Sequence, residues 1–355
     1  MYPVKNCRIF GKFFVLFCQD PPCHFVSILK GGIYMKDTCL QIAAAILLGL
    51  VIPGFVIRLS LPASEERMQT STGASSIHDE ASEGGIWILT DKGNTQWMVL
   101  EEYLTGVILA EMPTTYDTDA LCAQAVVART YALKRQGGER HPHGAVCTDP
   151  ACCQAYVEVA QYLDGLGYAE DVTVARNAVA ATAGIVVTYN EDLIEATYFH
   201  SSGGHTENAV AVWGVDYPYL QAQESPGEEG MDGYYERTYL SRAELEECLA
   251  RELPGSPGGW IGWSTYTVGN GVETMLFAGV QYSGTQLRKL LGLNSTIFSM
   301  EAESDGLWVT TYGKGHRVGM SQTGAQAMAL RGCTWQEILA YYYPGTRIDK
   351  IEDVG

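Results

Sequence analysis

Two helical runs divided by one proline constrain this chain more than any other feature. Residues 99–112 read VLEEYLTGVILAEM, with Tyr103, Val107 and Ala110 spaced along one helical stripe. Pro113 ends that run, because it lacks a backbone N–H and its ring clashes with the preceding turn. After TTYDTD, a second run carries Leu121, Ala125, Ala128 and Ala132 at helical spacing, with Thr118 placed as its N-cap. So short a connector makes the two helices packing neighbours.

The remaining chain mixes both kinds of element. IWILT at 86–90 reads as a strand before a DKGN turn, and DVTVARNAVAATAG (171–184) as a helix closed by Gly184. IVVTYN, LIEATYFH, ETMLFAGVQY and LWVTTYG alternate as strands, whereas SRAELEECLARELPG and SQTGAQAMALRG are helical. Without a regular βαβ alternation or an internal repeat, the class is α+β. The expected organisation is a catalytic core with helices around a mixed sheet (86–225 and 305–349). A second lobe or insertion (226–304, rich at first in Gly, Pro and acidic residues) completes a substrate groove.

Upstream, Leu40–Ile57 reads LQIAAAILLGLVIPGFVI with no charge before Arg58. That is close to the roughly 20 residues that cross a hydrocarbon core, and Pro53 and Gly54 are tolerated in such spans. With Lys30 and Lys36 before it, the run predicts a single-pass cell-membrane anchor at 39–58, a cytoplasmic segment 1–38 and an extracytoplasmic catalytic region. A cleaved signal peptide is the alternative, although PAS at 62–64 is a poor cleavage site. Met35 begins MKDTCLQIAAA, a natural start, which makes 1–34 an upstream extension. Residues 59–85, small, polar and acidic, read as a disordered tether.

A formal net charge of −18 argues against nucleic-acid binding, which needs clustered Lys and Arg. The ten cysteines lack the regular spacing of a disulfide scaffold. Instead Cys147, Cys152 and Cys153 crowd beside His141 and His143 in HPHGAVCTDPACCQAY, a thiolate and imidazole set suited to tetrahedral Zn²⁺. Reduced, buried thiols are the other reading of that crowd.

Glu111 is the sharpest candidate for chemistry. It closes an amphipathic helix beside Met112 and Pro113, where the negative end of the helix dipole and apolar neighbours both disfavour ionisation. A carboxyl kept protonated near neutral pH suits a general acid acting on a glycosidic oxygen. On its own, a surface glutamate at a helix end fits the same residues.

The company it keeps is more specific. LEEYLTGVILAEMP, DALCAQAVVARTYAL, CTDPACCQAY, FHSSGGHTENAVAVWG and GHRVGMSQTGAQAMA, in that order over 98–349, resemble the stage II sporulation protein D family. Those proteins are lytic transglycosylases of sporulation engulfment. The resemblance implies cleavage of the bond between N-acetylmuramic acid (MurNAc) and N-acetylglucosamine (GlcNAc) in peptide-stripped peptidoglycan, leaving 1,6-anhydro-MurNAc ends. It makes Glu111 the single acid and base, with no cofactor needed for the chemistry. Arg129 matches a family arginine tied to function, with a structural ion pair within the helix hairpin as its alternative, and Gln124 is a weaker candidate of that sort. Zinc in the family is associated with a His and cysteines, the place of Cys152 often being a His. The ligand set is therefore His141, Cys147, Cys152 and Cys153, with His143 as alternate, and four protein ligands make the metal structural.

Tyr198, Ser201, Ser202, Gly203 and His205 form a glycan-facing loop in this reading, Trp213 is a stacking candidate, and Gln322 is a binder while His316 braces. Besides peptidoglycan glycan strands, the partners implied are a sporulation amidase (protein P) and a membrane scaffold (protein M). Two rivals stay open: a glycoside hydrolase with a second carboxylate, for which Asp117, Asp119 and Asp149 are available, and a noncatalytic wall-binding protein of the same fold.

Overall fold

A computed structural model describes residues 84–165 and 167–354. The first helix spans Leu100–Glu111 and stops where Met112 turns extended before Pro113. Leu100, Tyr103, Leu104, Val107 and Ile108 are buried, whereas Ala110, expected on the stripe, is exposed in the last turn. Gly106 lets the chain cross this helix closely: a Cβ there would lie 2.4 Å from the Tyr156 ring and from the Val157 carbonyl.

The second helix spans Thr118–Arg135 and is the one the first hydrophobic core is built around. Its cap is Asp117 rather than Thr118, the Asp117 carboxylate accepting from Asp119 N at 3.0 Å. Every residue from Ala120 to Ala132 is buried, which a one-sided stripe does not predict. The small side chains explain it. They allow the helices Leu100–Glu111, Ala169–Ala181, Gln322–Ala329 and Trp335–Tyr342 and the strand Ile185–Tyr189 to pack around it.

The class is α+β, with five small sheets among the described residues in place of a single mixed one. Gly85–Leu89 pairs antiparallel with Thr95–Val99 and parallel with Val146–Cys147. Tyr198–Phe199 pairs parallel with Met320–Ser321. This two-residue ladder sets the site, because it brings Tyr198 beside the start of the helix that carries Gln322. LIEATYFH, expected as one strand, is divided: Leu193 ends the strand Asp192–Leu193, and Tyr198–Phe199 forms another.

A second hydrophobic cluster gathers Leu240, Leu245, Trp260, Phe277, Leu287 and Leu307. It lies under an antiparallel sheet (Tyr235–Ser241, Gly306–Tyr312, Ile297–Glu303) and a meander (Ile261–Tyr266, Val272–Phe277, Val280–Ser283). Ser241 and Ser283 start the covering helices Arg242–Leu249 and Gly284–Leu291 with capping boxes. Glu207 and Arg317, both buried, form an ion pair at 3.1 Å, and Arg317 also donates to Gly269 O and Thr296 Oγ1.

The expected single-pass membrane localisation is corrected: among the described residues, no helix is long and apolar enough to cross a membrane. The run Leu40–Ile57 on which it rested, the cytoplasmic segment 1–38 and nearly all of the tether 59–85 lie outside the described residues.

Candidate active site

Glu111 reaches the wall of a cavity of ≈ 740 Å³, shared with Tyr198, Trp213, Glu195, Arg288 and Lys314. Its Oε1 accepts from Ala155 N at 2.8 Å and lies 3.4 Å from the Tyr198 hydroxyl; its Oε2 accepts from Gln322 Nε2 at 3.3 Å. No cation pairs with it among the described residues. Burial pushes its pKa above the ordinary carboxyl value, and the three donors, which favour the ionised form, offset this only in part.

Tyr198 also donates to Gln154 Oε1 at 2.9 Å, and Gln154 Nε2 donates to the Tyr103 hydroxyl at 2.9 Å. Burial, with Glu111 close by, drives the Tyr198 pKa well up, so its hydroxyl keeps its proton. One hydrogen cannot serve two acceptors. While Tyr198 donates to Gln154, a protonated Glu111 can donate to the Tyr198 oxygen; once ionised, Glu111 can take the hydrogen of Tyr198 instead. Gln154 was absent from the sequence-level candidates, and only its place between Cys153 and Ala155 hinted at it.

The other sequence-level candidates divide sharply. Gln322 touches Glu111, and Tyr198 stands between Glu111 and Gln154. Arg129 is fully buried and away from the cavity wall, with Nε and Nη2 on Glu101 at 3.1 and 2.6 Å and further bonds to the carbonyls of Val179 and Ile185. It clamps three helices and a strand. Gln124 is fully buried too, its amide without a partner among the described residues.

Ser201 and Ser202 turn inward. Both hydroxyls donate at 2.8 Å to Glu228, a fully buried carboxylate that also accepts from Ser202 N, Ser225 and Thr323. Gly203, at φ 68°, is pressed onto the Tyr312–Gly313 backbone, where a Cβ would meet Tyr312 C at 2.5 Å. His205 Nδ1 sits 3.2 Å from Asn270 Nδ2. None of these four lines the cavity.

His316 lies under Trp213, ring centroids 5.2 Å apart, and burial with Arg288 nearby pushes its pKa down to about 4, so the imidazole is neutral. Trp213 lines the cavity and is 42% exposed, leaving a flat aromatic face open to it. Asp117 and Asp119 are occupied in helix capping and in accepting from Trp335 N, and Asp149 accepts from Ala151 N. The second carboxylate on the cavity is Glu195, clamped by Arg135 at 2.5 Å.

His141, Cys147, Cys152 and Cys153 bring their ligand atoms within 4.8 Å of one another. His141 Nε2 lies 3.4 and 3.5 Å from Sγ of Cys152 and Cys153. Ligands around a tetrahedral Zn²⁺ stand about 3.4–3.8 Å apart, given Zn–S near 2.3 Å and Zn–N near 2.0 Å. The donor types and the two imidazole–thiol spacings suit that ion. His143 instead stacks on Trp87, centroids 5.6 Å apart.

A family model described as "Stage II sporulation protein" matches residues 90–189. Stage II sporulation protein D of Bacillus subtilis (strain 168) is 38% identical over 259 residues, covering 71% of this chain and 75% of that protein. Its namesake in Bacillus amyloliquefaciens is 34% identical over 269 residues, covering 74% and 78%. The amidase enhancer of Bacillus subtilis (strain 168) is 28% identical over 299 residues, covering 69% of this chain and 40% of that protein.

Proposed function

The chain belongs to the stage II sporulation protein D family, and from that premise we propose that it is a lytic transglycosylase of peptidoglycan glycan strands. The observation that carries this reading is Glu111: a carboxyl on the cavity wall, withdrawn from water, with only neutral donors around it. The protonated carboxyl gives its proton to the glycosidic oxygen as the bond from C1 of MurNAc breaks, releasing the GlcNAc O4 hydroxyl. The carboxylate then takes the proton of the MurNAc O6 hydroxyl while O6 bonds to C1. The proton returns to Glu111 and no water is consumed. One carboxyl therefore suffices, and Glu195, neutralised by Arg135, is left out of the chemistry. Trp213 offers a stacking face, and Tyr198 and Gln322 keep the carboxyl aimed through both protonation states.

In the same reading His141, Cys147, Cys152 and Cys153 hold a structural Zn²⁺, which supplies cross-linking and no bond chemistry. That cross-link anchors the segment whose next residues, Gln154 and Ala155, hold Tyr198 and Glu111. Partnership with a cell-wall amidase of sporulation (protein P) and with protein M belongs to this proposal, and the relative named amidase enhancer is in keeping with the former.

Mass spectrometry of products from peptide-free glycan tests the reaction. Anhydro-MurNAc ends are expected; reducing ends without them make the protein a hydrolase, and intact glycan leaves a binding protein.

A further inference from the structure

Glu111's cavity is rich in cations for so acidic a chain. With 23 Lys and Arg against 41 Asp and Glu overall, its wall still carries Arg135, Arg140, Arg288 and Lys314. Two of these have evident employment: Arg135 holds Glu195, and Arg140 Nη1 donates to the Cys152 carbonyl at 3.0 Å. Arg288 and Lys314 have no carboxylate within ion-pair distance among the described residues.

Arg288 is the more telling of the two. It is half-buried on the helix Gly284–Leu291, and its Nε donates to Asn294 O at 3.2 Å. The same carbonyl accepts from Gly315 N at 3.0 Å, which fastens Arg288 to the turn bearing Lys314. Its two Nη groups have no hydrogen-bond partner among the described residues, a forked arrangement matched to a planar carboxylate. Withdrawing a guanidinium from water without a counter-ion is costly, and burial already pulls its pKa below the ordinary value. Neighbouring His316 is neutral and does not compete for an anion. The pattern is that of a cation waiting for a carboxylate that arrives with the ligand.

We propose that Arg288, with Lys314 on the adjoining turn, reads the free lactyl carboxylate of muramic acid and so selects glycan from which the stem peptide has been removed. The inference rests on the transglycosylase reading. A stem peptide turns that carboxylate into an uncharged amide, so loss of the peptide is the change that creates the charge Arg288 can bind. The segment 226–304 thereby contributes specificity to a reaction whose acid lies on the first helix.

The test uses the full chain and two peptide-free glycans, one with free lactyl carboxylates and one with the same groups converted to methylamides. The wild type is expected to show a KM about tenfold lower for the free acid, the scale of one charge-assisted contact, with kcat little changed. That preference should shrink as salt is raised. In Arg288→Gln most of that preference should be lost, the remainder being what Lys314 supplies. Lys314→Gln, at an exposed side chain, should lose the smaller part of the preference. A wild type indifferent to the substitution, or an Arg288→Gln protein that retains the preference, overturns the inference while leaving the transglycosylase reading intact. If neither glycan yields anhydro ends, that reading falls, and calorimetric binding of the same two glycans then decides Arg288: tighter binding of the free acid supports it, and equal or absent binding overturns it.

Discussion

Glu111 and Glu228 are both carboxylates withdrawn from water with no cation at hand, yet their surroundings make them different groups. Glu228 is fully buried and accepts on both oxygens: Ser201, Ser202 N and Thr323 on one, Ser202 Oγ and Ser225 on the other. So many donors replace its hydration shell and make the side chain a fastener between the SSGG loop, the 225–228 turn and the helix Gln322–Ala329. Glu111 has one backbone donor at 2.8 Å and two side-chain contacts at 3.3 and 3.4 Å, and it faces a cavity. Fewer and longer bonds leave desolvation dominant, so its proton is easy to keep and also has somewhere to go. Gln322 and Thr323, adjacent at the start of one helix, serve one carboxylate each. The contrast teaches that burial alone does not set a carboxyl's part in the fold; the number of donors it meets and the open space beside it do.

Exchanging the two outcomes breaks the comparison. Glu228→Ala leaves several buried hydroxyls and an N–H unsatisfied and should cost about 3–5 kcal/mol, read by chemical denaturation. Glu111→Gln should do the reverse, lowering lytic activity by roughly 10²–10⁴ while the denaturation midpoint holds or rises slightly. A Glu111→Gln protein that unfolds, or a Glu228→Ala protein of full stability, would contradict the division of roles. A smaller effect sharpens it. Cys147→Ser should reduce the zinc measured by elemental analysis and weaken activity several-fold by loosening Gln154 and Ala155; full zinc content and full activity together would detach the cluster from Glu111.

The two long helices were legible because apolar period and Pro113 act locally, and the crowding of His141, Cys147, Cys152 and Cys153 showed in the sequence because metal-ligand types stand close together there. The withdrawal of Glu111 from water was hinted at by its apolar, helix-end neighbours, although residue type alone did not separate it from a surface glutamate. Glu228 and Arg288 were not legible. The partners of Glu228 lie as far away as Thr323, and the character of Arg288 depends on which carboxylates fail to reach it, a property of the folded chain only. Ser201 and Ser202 misled for a related reason. Hydroxyls beside a pair of glycines suit a ligand loop and a buried carboxylate equally, and only the distant Glu228 decides which. Arg129, similarly, takes its partners from Glu101 and from the carbonyls of Val179 and Ile185, all on other elements.

The most direct measurement is the titration of the Glu111 carboxyl, followed by NMR on glutamate-labelled protein, with Glu111→Gln identifying its resonance. A raised pKa means that the folded state favours the protonated form. The stability this contributes is complete below the ordinary glutamic acid value and is lost as pH rises through the raised value, and the acid-competent fraction falls over the same window. The expected result is a midpoint above the ordinary value near 4.3, with lytic activity declining on its alkaline side. A midpoint at or below that value would mean that the donors outweigh desolvation, and Glu111 would then be a structural carboxylate rather than the acid.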